Sequence, residues 1–489
     1  MDFPIFHADL IGNRAIIAVI ATLHVLINHG LAVGMMPLIA AIEWHGHRTS
    51  DRRWDQLGYK LLFCAFLVTT TVGALTGVGI WLSASLINPY AIGSLIRVFF
   101  WAWFTEWLVF ITEVCLILAY FLTWKKWTAG AAKTRHIRLG AALGLFSWIT
   151  MAIIVSILGF MMDPGNWLSE HTLFAGFTNP IYLPQLAFRT PLALTMAGVV
   201  ASFLAIFFIA RADPFRAQAL RALNLWTLFW APFTLAGGWW YMSVVPETMR
   251  ERVGTALLTL QFESWQSDFY AIVIGTVAFI YLIAQISVLR PTWVPRAAYL
   301  VALLAITWLT GHFERVREFV RKPYVIGQYM YANGIRADDY PLLKRDGVIA
   351  HSTYTYPLSD AEKAGLAASG HEQVQRGKDV FMITCSRCHT GSGVNSVITQ
   401  FERLFGSGAW DRKLLADYTT TMHDLRTYMP PFPGTQDELL ALSDYLIQLR
   451  TTGAAVPGAQ QAGVGANPPA ATVAARPRPQ SAPMTERRP

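Results

Sequence analysis

Residues 139–162 read LGAALGLFSWITMAIIVSILGFMM, a run without one Asp, Glu, Lys, Arg or His. A helix needs about 20 apolar residues to cross the hydrocarbon core of a bilayer, and it satisfies its own backbone N–H and C=O groups on the way. Working outward, seven further stretches meet the same requirement, at roughly 15–43, 57–87, 92–124, 186–210, 222–245, 268–289 and 298–320. The expected fold is therefore all-α: a polytopic membrane helix bundle of about eight transmembrane helices, followed by a small helical domain. The first and third runs are long enough to tilt or to project beyond the bilayer. Trp44, Trp124, Trp127 and Trp167 mark several helix ends, as interfacial aromatics do.

Composition agrees with this reading. Of 489 residues, 54% are hydrophobic and 14% charged, which is too apolar for an ordinary soluble protein. The net charge of +8 is no nucleic-acid signal, because much of the basic excess lies in loops between apolar runs. Arg48, Arg52 and Arg53 follow the first run, and Lys125, Lys126, Lys133, Arg135 and Arg138 follow the third. Arg211, Arg216 and Arg221 join the fifth to the sixth, and Arg290 and Arg296 the seventh to the eighth. The opposite loops are poor in Lys and Arg, with Arg250 and Arg252 the main exceptions. Basic loops face the cytoplasm, so eight spans return the chain to the outer side near residue 330. The expected location is a bacterial inner membrane, with everything beyond that point periplasmic. The first run is too long for a cleavable signal peptide and no small-residue cleavage site follows it, so it is expected to act as its own insertion signal.

The chain then divides into a transmembrane domain (1–330), a linker (331–372), a compact domain (373–450) and an Ala/Pro-rich tail (451–489) expected to be disordered. The third of these carries Cys385-Ser386-Arg387-Cys388-His389, a C-x-x-C-H motif. Two thiols three positions apart can bond the two vinyl groups of one haem, and the adjacent His389 then presents its imidazole to the iron. The motif follows a helical run, Glu372 to Met382, and precedes Met429-Pro430-Pro431-Phe432-Pro433 and an amphipathic helix from Gln436 to Leu449. A Met held in a Pro-rich loop is a usual second axial ligand and raises the redox potential. Met422 competes for that role, but Met429 is favoured because the prolines would fix its loop against the haem face. C-type attachment takes place outside the cytoplasm, in agreement with the charge of the loops. Cys64 and Cys115 lie in apolar runs and read as small packing residues.

Ionisable groups inside a membrane are costly, and each is a functional hypothesis. His24, His29 and His312 fall within the expected spans, with His24 and Asn28 on one face and His29 pointing away from it. Glu106 and Glu113 lie seven apart, on one stripe, where they could pass protons inward. Glu314, Arg317, Glu318 and Arg321 form a charged stripe near the outer end of the eighth run, suited to haem propionates and to carboxylate ligation of iron. No run holds two histidines four turns apart, as bis-histidine cytochrome b bundles do, and the several membrane histidines of a haem–copper centre are absent.

These residues resemble subunit I of the cytochrome bd oxygen reductases over about residues 10–330. Ala21-Thr22-Leu23-His24 sits where that family places the His ligand of its oxygen-reactive haem. Gly73-Ala74-Leu75-Thr76-Gly77 matches its G-x-x-T-G segment, and Phe104-Thr105-Glu106 the position of a functional Glu. Glu318 to Pro323, followed by Ile326-Gly327, follows its E-x-x-R-x-P-x-x-I-G pattern. The resemblance implies His24 and Glu318 as ligands of membrane haem iron, Arg321 beside the same centre at a propionate, and proton relay by Glu106 and Glu113. His29 and His312 are alternative ligands. It also implies one or two b- or d-type haems beside the covalent haem c, a second membrane subunit, and oxygen as acceptor.

Four departures concern the quinol end of that family. Arg189 stands where a His ligand of the low-spin haem is expected, and no partner Met is evident among Phe269 to Gly275. The long quinol-binding loop shrinks to about residues 246–267, and a c domain replaces the ninth helix. They point away from quinol and toward a soluble or membrane cytochrome as electron donor. The leading expectation is a bd-like terminal oxidase subunit fed through the c haem. An electron-relay subunit without oxygen chemistry needs the same ligands, and a c-type cytochrome with a merely structural membrane anchor would need none of the membrane His and Glu residues.

Overall fold

The computed structural model describes residues 5–258, 266–352 and 359–452. Eight long helices run in the order Asn13–Thr49, Arg52–Ile87, Pro89–Thr123, Gly130–Met162, Tyr182–Phe208, Pro214–Val244, Gln266–Leu289 and Arg296–Val320, called here the first to the eighth. Among the described residues, seven are long and apolar enough to cross a membrane, and the chain is a multi-pass membrane protein. The exception is the sixth helix, Pro214–Val244, where Arg216, Arg221, Asn224 and several Trp and Gly residues dilute the hydropathy. It is held along the fifth by polar contacts: Trp226 Nε1 donates to the Leu194 carbonyl at 2.9 Å, and Asn224 Nδ2 to Ser202 Oγ at 3.2 Å. Such bonds are a means of helix association where lipid supplies no hydrophobic drive.

The fifth helix is the centre of the bundle, with 72% of its most apolar window buried, against 11% for the third. Both of the first two helices contain a π-helical turn, at Asn28–Val33 and Thr69–Gly73. Such turns occur often at functional sites. The first of them brings the backbone against the fifth helix at Gly34, where a Cβ would lie 2.0 Å from the Ala193 carbonyl oxygen; only glycine fits.

Beyond the eighth helix a short antiparallel pair, Tyr324–Ile326 with Met330–Tyr331, turns the chain toward the C-terminal helices. The stretch read as a linker carries helices at Tyr340–Asp346 and Asp360–Ser369. Leu343 and Val348 join the core of the C-terminal domain, and the Val348 and Ile349 amides donate to the buried Glu438 at 2.9 and 3.0 Å. That domain packs Glu372–Thr384, Val397–Phe405, Arg412–Leu425 and Gln436–Thr452 around Val380, Phe381, Leu415, Ala416 and Leu442. Ser396 and Asp411 cap two of these helices through the amides of Thr399 and Leu414, satisfying donors that a helix start leaves open.

The segment before the first helix is a strap on this same domain. Ile5 packs on its core, the Gly391 amide donates to Asp9 Oδ1 at 3.1 Å, and the Val394 amide to the Leu10 carbonyl at 3.0 Å. The Ala/Pro-rich tail, apart from its first two positions, lies outside the described residues, as does part of the shortened loop near 246–267.

Candidate redox site

The helix Glu372–Thr384 ends with Cys385 as its C-cap, and the amides of Cys388 and His389 both donate to the Cys385 carbonyl at 3.0 Å. This tight turn sets both thiols and the imidazole on one loop. Neither Cys is in a disulfide. His389 Nδ1 donates to the Asn395 carbonyl at 3.2 Å, which leaves Nε2 as the metal-facing nitrogen. Burial holds His389 down to about 4, so at neutral pH it keeps the lone pair an iron ligand needs. The donor set fits a covalently attached c haem. Met422 lies within the helix Arg412–Leu425, whereas Met429 lies in the loop after it, where its carbonyl accepts from His423 Nδ1 at 2.5 Å. A cavity of about 450 Å³ opens beside this loop, lined by Leu404, Tyr418, Leu425, Arg426 and Tyr428, with Thr255 from the membrane part.

The C-x-x-C-H turn is clamped onto the membrane helices. Arg387, buried between its two cysteines, donates from Nε to the Ile87 carbonyl at 3.2 Å, at the end of the second helix, and from Nη1 to Ile383 at 2.9 Å. Asn13 Nδ2 reaches the Ser386 carbonyl at 3.5 Å. Tyr428, beside Met429, meets Phe319, beside Glu318, with ring centroids 5.3 Å apart. Lys322 lies within electrostatic reach of Cys388, and Arg14 within reach of both His389 and Glu318.

Within the membrane part, the charged stripe of the eighth helix splits into two groups. Glu318 accepts from Arg321 Nη2 at 2.7 and 2.6 Å, with Lys322 Nζ at 3.5 Å. Arg321 Nε and Arg317 Nη1 are buried and have no hydrogen-bond partner among the described residues. Unmet buried donors are rare, and these two are what carboxylates such as haem propionates would satisfy. Glu314 instead pairs with Arg317 at 2.9 Å and with Arg189 Nη2 at 2.5 Å. Arg189, 1% exposed on the fifth helix, also reaches His29 Nε2 at 3.3 Å. His29 Nδ1 donates to the Val25 carbonyl at 3.0 Å. Both His29 nitrogens are thus engaged within the protein.

His24 is placed by the G-x-x-T-G segment of the second helix: its Nδ1 lies 3.2 Å from both the Gly73 carbonyl and Thr76 Oγ1. Among the described residues its Nε2 meets only the Asn28 amide, at 3.5 Å. Proton placement on Nδ1 leaves Nε2 as the nitrogen able to bind iron. The ring of His312 lies over Trp308, with centroids 4.2 Å apart. Glu113 accepts from Ser147 Oγ at 2.5 Å and Thr150 Oγ1 at 3.4 Å, both on the fourth helix, and Glu106 lies two turns along the same stripe. The clamp around Arg387 and the Arg189–Glu314 pair were not foreseen from sequence. An Arg in an apolar run was the signal for the second; no local pattern announced the first.

Residues 372–446 match the family described as cytochrome C oxidase, cbb3-type, subunit III. This segment is a c-type cytochrome domain. The solved bd oxidase from Geobacillus thermodenitrificans aligns with this chain at a TM-score of 0.52 and 15% identity. The alignment covers 73% of this chain and 93% of that one, so the chain has the bd oxidase fold with a cytochrome domain joined to it. No curated protein matches it. The cytochrome domain brings Cys385, Cys388 and His389 to the end of the bundle at which Glu318 and Arg321 lie.

Proposed function

We propose that the protein is a bd-like terminal oxidase subunit that receives electrons from an external cytochrome through its c haem and delivers them to one or two b- or d-type membrane haems for oxygen reduction. The observation that carries this reading is the clamp: Arg387 on Ile87, and Tyr428 on Phe319, hold the C-x-x-C-H turn against the helix that bears Glu318. An electron carrier fixed there has the membrane site as its neighbour and needs no swinging linker.

The haems supply the electron transfer and the oxygen chemistry; the chain binds, orients and protects them. Cys385 and Cys388 would hold haem c, with His389 and Met429 as its axial ligands. His24, oriented by Gly73 and Thr76, and Glu318, oriented by Arg321, would be the membrane iron ligands. Arg321 Nε is left to a propionate. Glu106 and Glu113 would carry protons, Glu113 held by Ser147 and Thr150 on the neighbouring helix. The buried Arg189–Glu314–Arg317 group supports the absence of a low-spin haem and of quinol oxidation, since it places charged side chains where that family's ligand would stand. A second membrane subunit would cover the widely exposed third helix, and the cytochrome domain would face the periplasm.

The test is an optical spectrum of the dithionite-reduced protein before and after carbon monoxide. A c-type band with a CO-sensitive high-spin haem is expected, with the CO response lost in His24→Ala. Only CO-inert membrane haems would sink oxygen reduction and leave electron relay. Met429→Ala is expected to lower the c haem midpoint potential by on the order of 100 mV in a redox titration, because thioether ligation favours the reduced iron. An unchanged potential would move the axial ligand to Met422.

A further inference from the structure

At the end of the bundle opposite the cytochrome domain lies a buried titratable cluster that the reading above does not use. Glu43, near the end of the first helix, is fully buried. Its carboxylate accepts from Tyr120 OH of the third helix at 2.7 Å and from Lys133 Nζ of the fourth at 2.6 Å. His136 Nδ1, also on the fourth helix, lies 2.5 Å from Glu43 Oε1, while its Nε2 donates to the Tyr120 carbonyl at 2.9 Å. Lys133 also pairs with Asp55 of the second helix, whose side chain is 29% exposed and so reaches water. The aromatic walls are Trp124 and Trp127, against His136.

Two features make this cluster more than a structural clasp. With Nε2 committed to a carbonyl, the Glu43–His136 contact holds one shared proton, carried either by the carboxyl or by Nδ1; the two forms differ only in where that proton sits. Moreover, Tyr120 continues the stripe of Glu106 and Glu113 at the same interval of seven residues, about 10 Å of rise per step. On the facing helix, His136 and Ser147 lie eleven residues apart, three turns on one face, and Ser147 is the donor to Glu113. Gly140 lies between them, where a Cβ would come 2.6 Å from the Tyr120 ring and hydroxyl, so the missing side chain makes room for the phenol. The Glu43 cluster and Glu113 thus lie along one seam between the third and fourth helices, with the buried Ile117 and Leu143 at the levels between them.

We propose that Asp55, Lys133, Glu43, His136 and Tyr120 form the intake through which protons enter from the face bearing the basic loops and pass to Glu113 and Glu106. Asp55 and Lys133 gather a proton at the surface, and Glu43 with His136 takes it. Tyr120 gives its hydroxyl proton toward Glu113 as it receives one from Glu43. Each hop moves one proton between two heteroatoms, with water bridging the long steps, and no electron moves. Electrons would then arrive from the cytochrome end and protons from the opposite end, which makes the reaction charge-separating across the membrane. The inference rests on the reading of Glu106 and Glu113 as proton carriers.

The test uses the full haem-loaded protein in detergent, with a pH-indicator dye in stopped flow as the reduced protein meets oxygen. Glu43→Gln and Tyr120→Phe are each expected to slow proton uptake at least about tenfold, with haem content, CO spectrum and electron entry unchanged. Wild-type uptake rates in both variants, haems intact, would overturn the intake and leave the oxidase reading standing. Tyr120→Phe decides alone if Glu43→Gln fails to assemble, since phenylalanine keeps the ring contact with His136. If the wild type consumes no oxygen, the oxidase reading fails instead. The intake is then read from proton uptake on anaerobic reduction, where the same tenfold difference is expected and its absence overturns it.

Discussion

Replacing both Cys385 and Cys388 with serine is expected to abolish covalent haem attachment and, with it, electron entry from an external cytochrome. Serine hydroxyls cannot form the thioether bonds, and His389 alone does not retain a haem through denaturation. The measurement is haem staining of the denatured chain, followed by reduction of the membrane haems with a reduced soluble cytochrome and, separately, with dithionite. Staining should vanish and cytochrome-driven reduction should fall to background, while dithionite still reduces the membrane haems. If the external cytochrome reduces those haems as fast as before, electrons do not enter through the cytochrome domain. The clamp around Arg387 would then have only a structural role.

The second large effect concerns stability. Arg189→Leu removes the guanidinium from Glu314 and His29 while leaving a carboxylate buried at 7% exposure. Breaking a buried ion pair from one side costs about 3–5 kcal/mol, because the remaining charge loses its partner without regaining water. Arg317 still holds Glu314 Oε2, so a loss near the lower end, about 3 kcal/mol, is expected in denaturant or thermal unfolding of the purified protein. Neutralising the stranded group as well, in Arg189→Leu with Glu314→Gln, should recover most of it. A double variant no more stable than Arg189→Leu alone would show that Arg189 acts through packing on Phe313, over which its guanidinium lies, and not through the ion pair. His29, freed from Arg189 in either variant, also becomes available to iron, so their haem spectra report whether a further haem can enter.

Local pattern along the chain is enough to specify one part of the structure. Apolar runs of span length placed eight helices in order, because a helix in lipid must be apolar along its length and hydrogen-bonded within itself. The cytochrome domain was legible for the same reason: Cys385, Cys388 and His389 need only one turn of chain to come together. The sixth helix has the length of a span but a lower hydropathy than the other seven, and its Asn224 and Gly237 pack on the fifth. Contacts between residues far apart in the chain follow from packing alone. Arg189 and Glu314 are 125 positions apart, and Arg387 and Ile87 are 300 apart. Glu43 and His136, 93 apart, looked like unrelated residues near the ends of two helices. Helical periodicity tells which face a side chain occupies, but not which other helix that face will meet. That choice is made when buried charges and unmet backbone carbonyls must find partners out of water, and it sets the Arg387 clamp and the Glu43 cluster at opposite ends of one bundle.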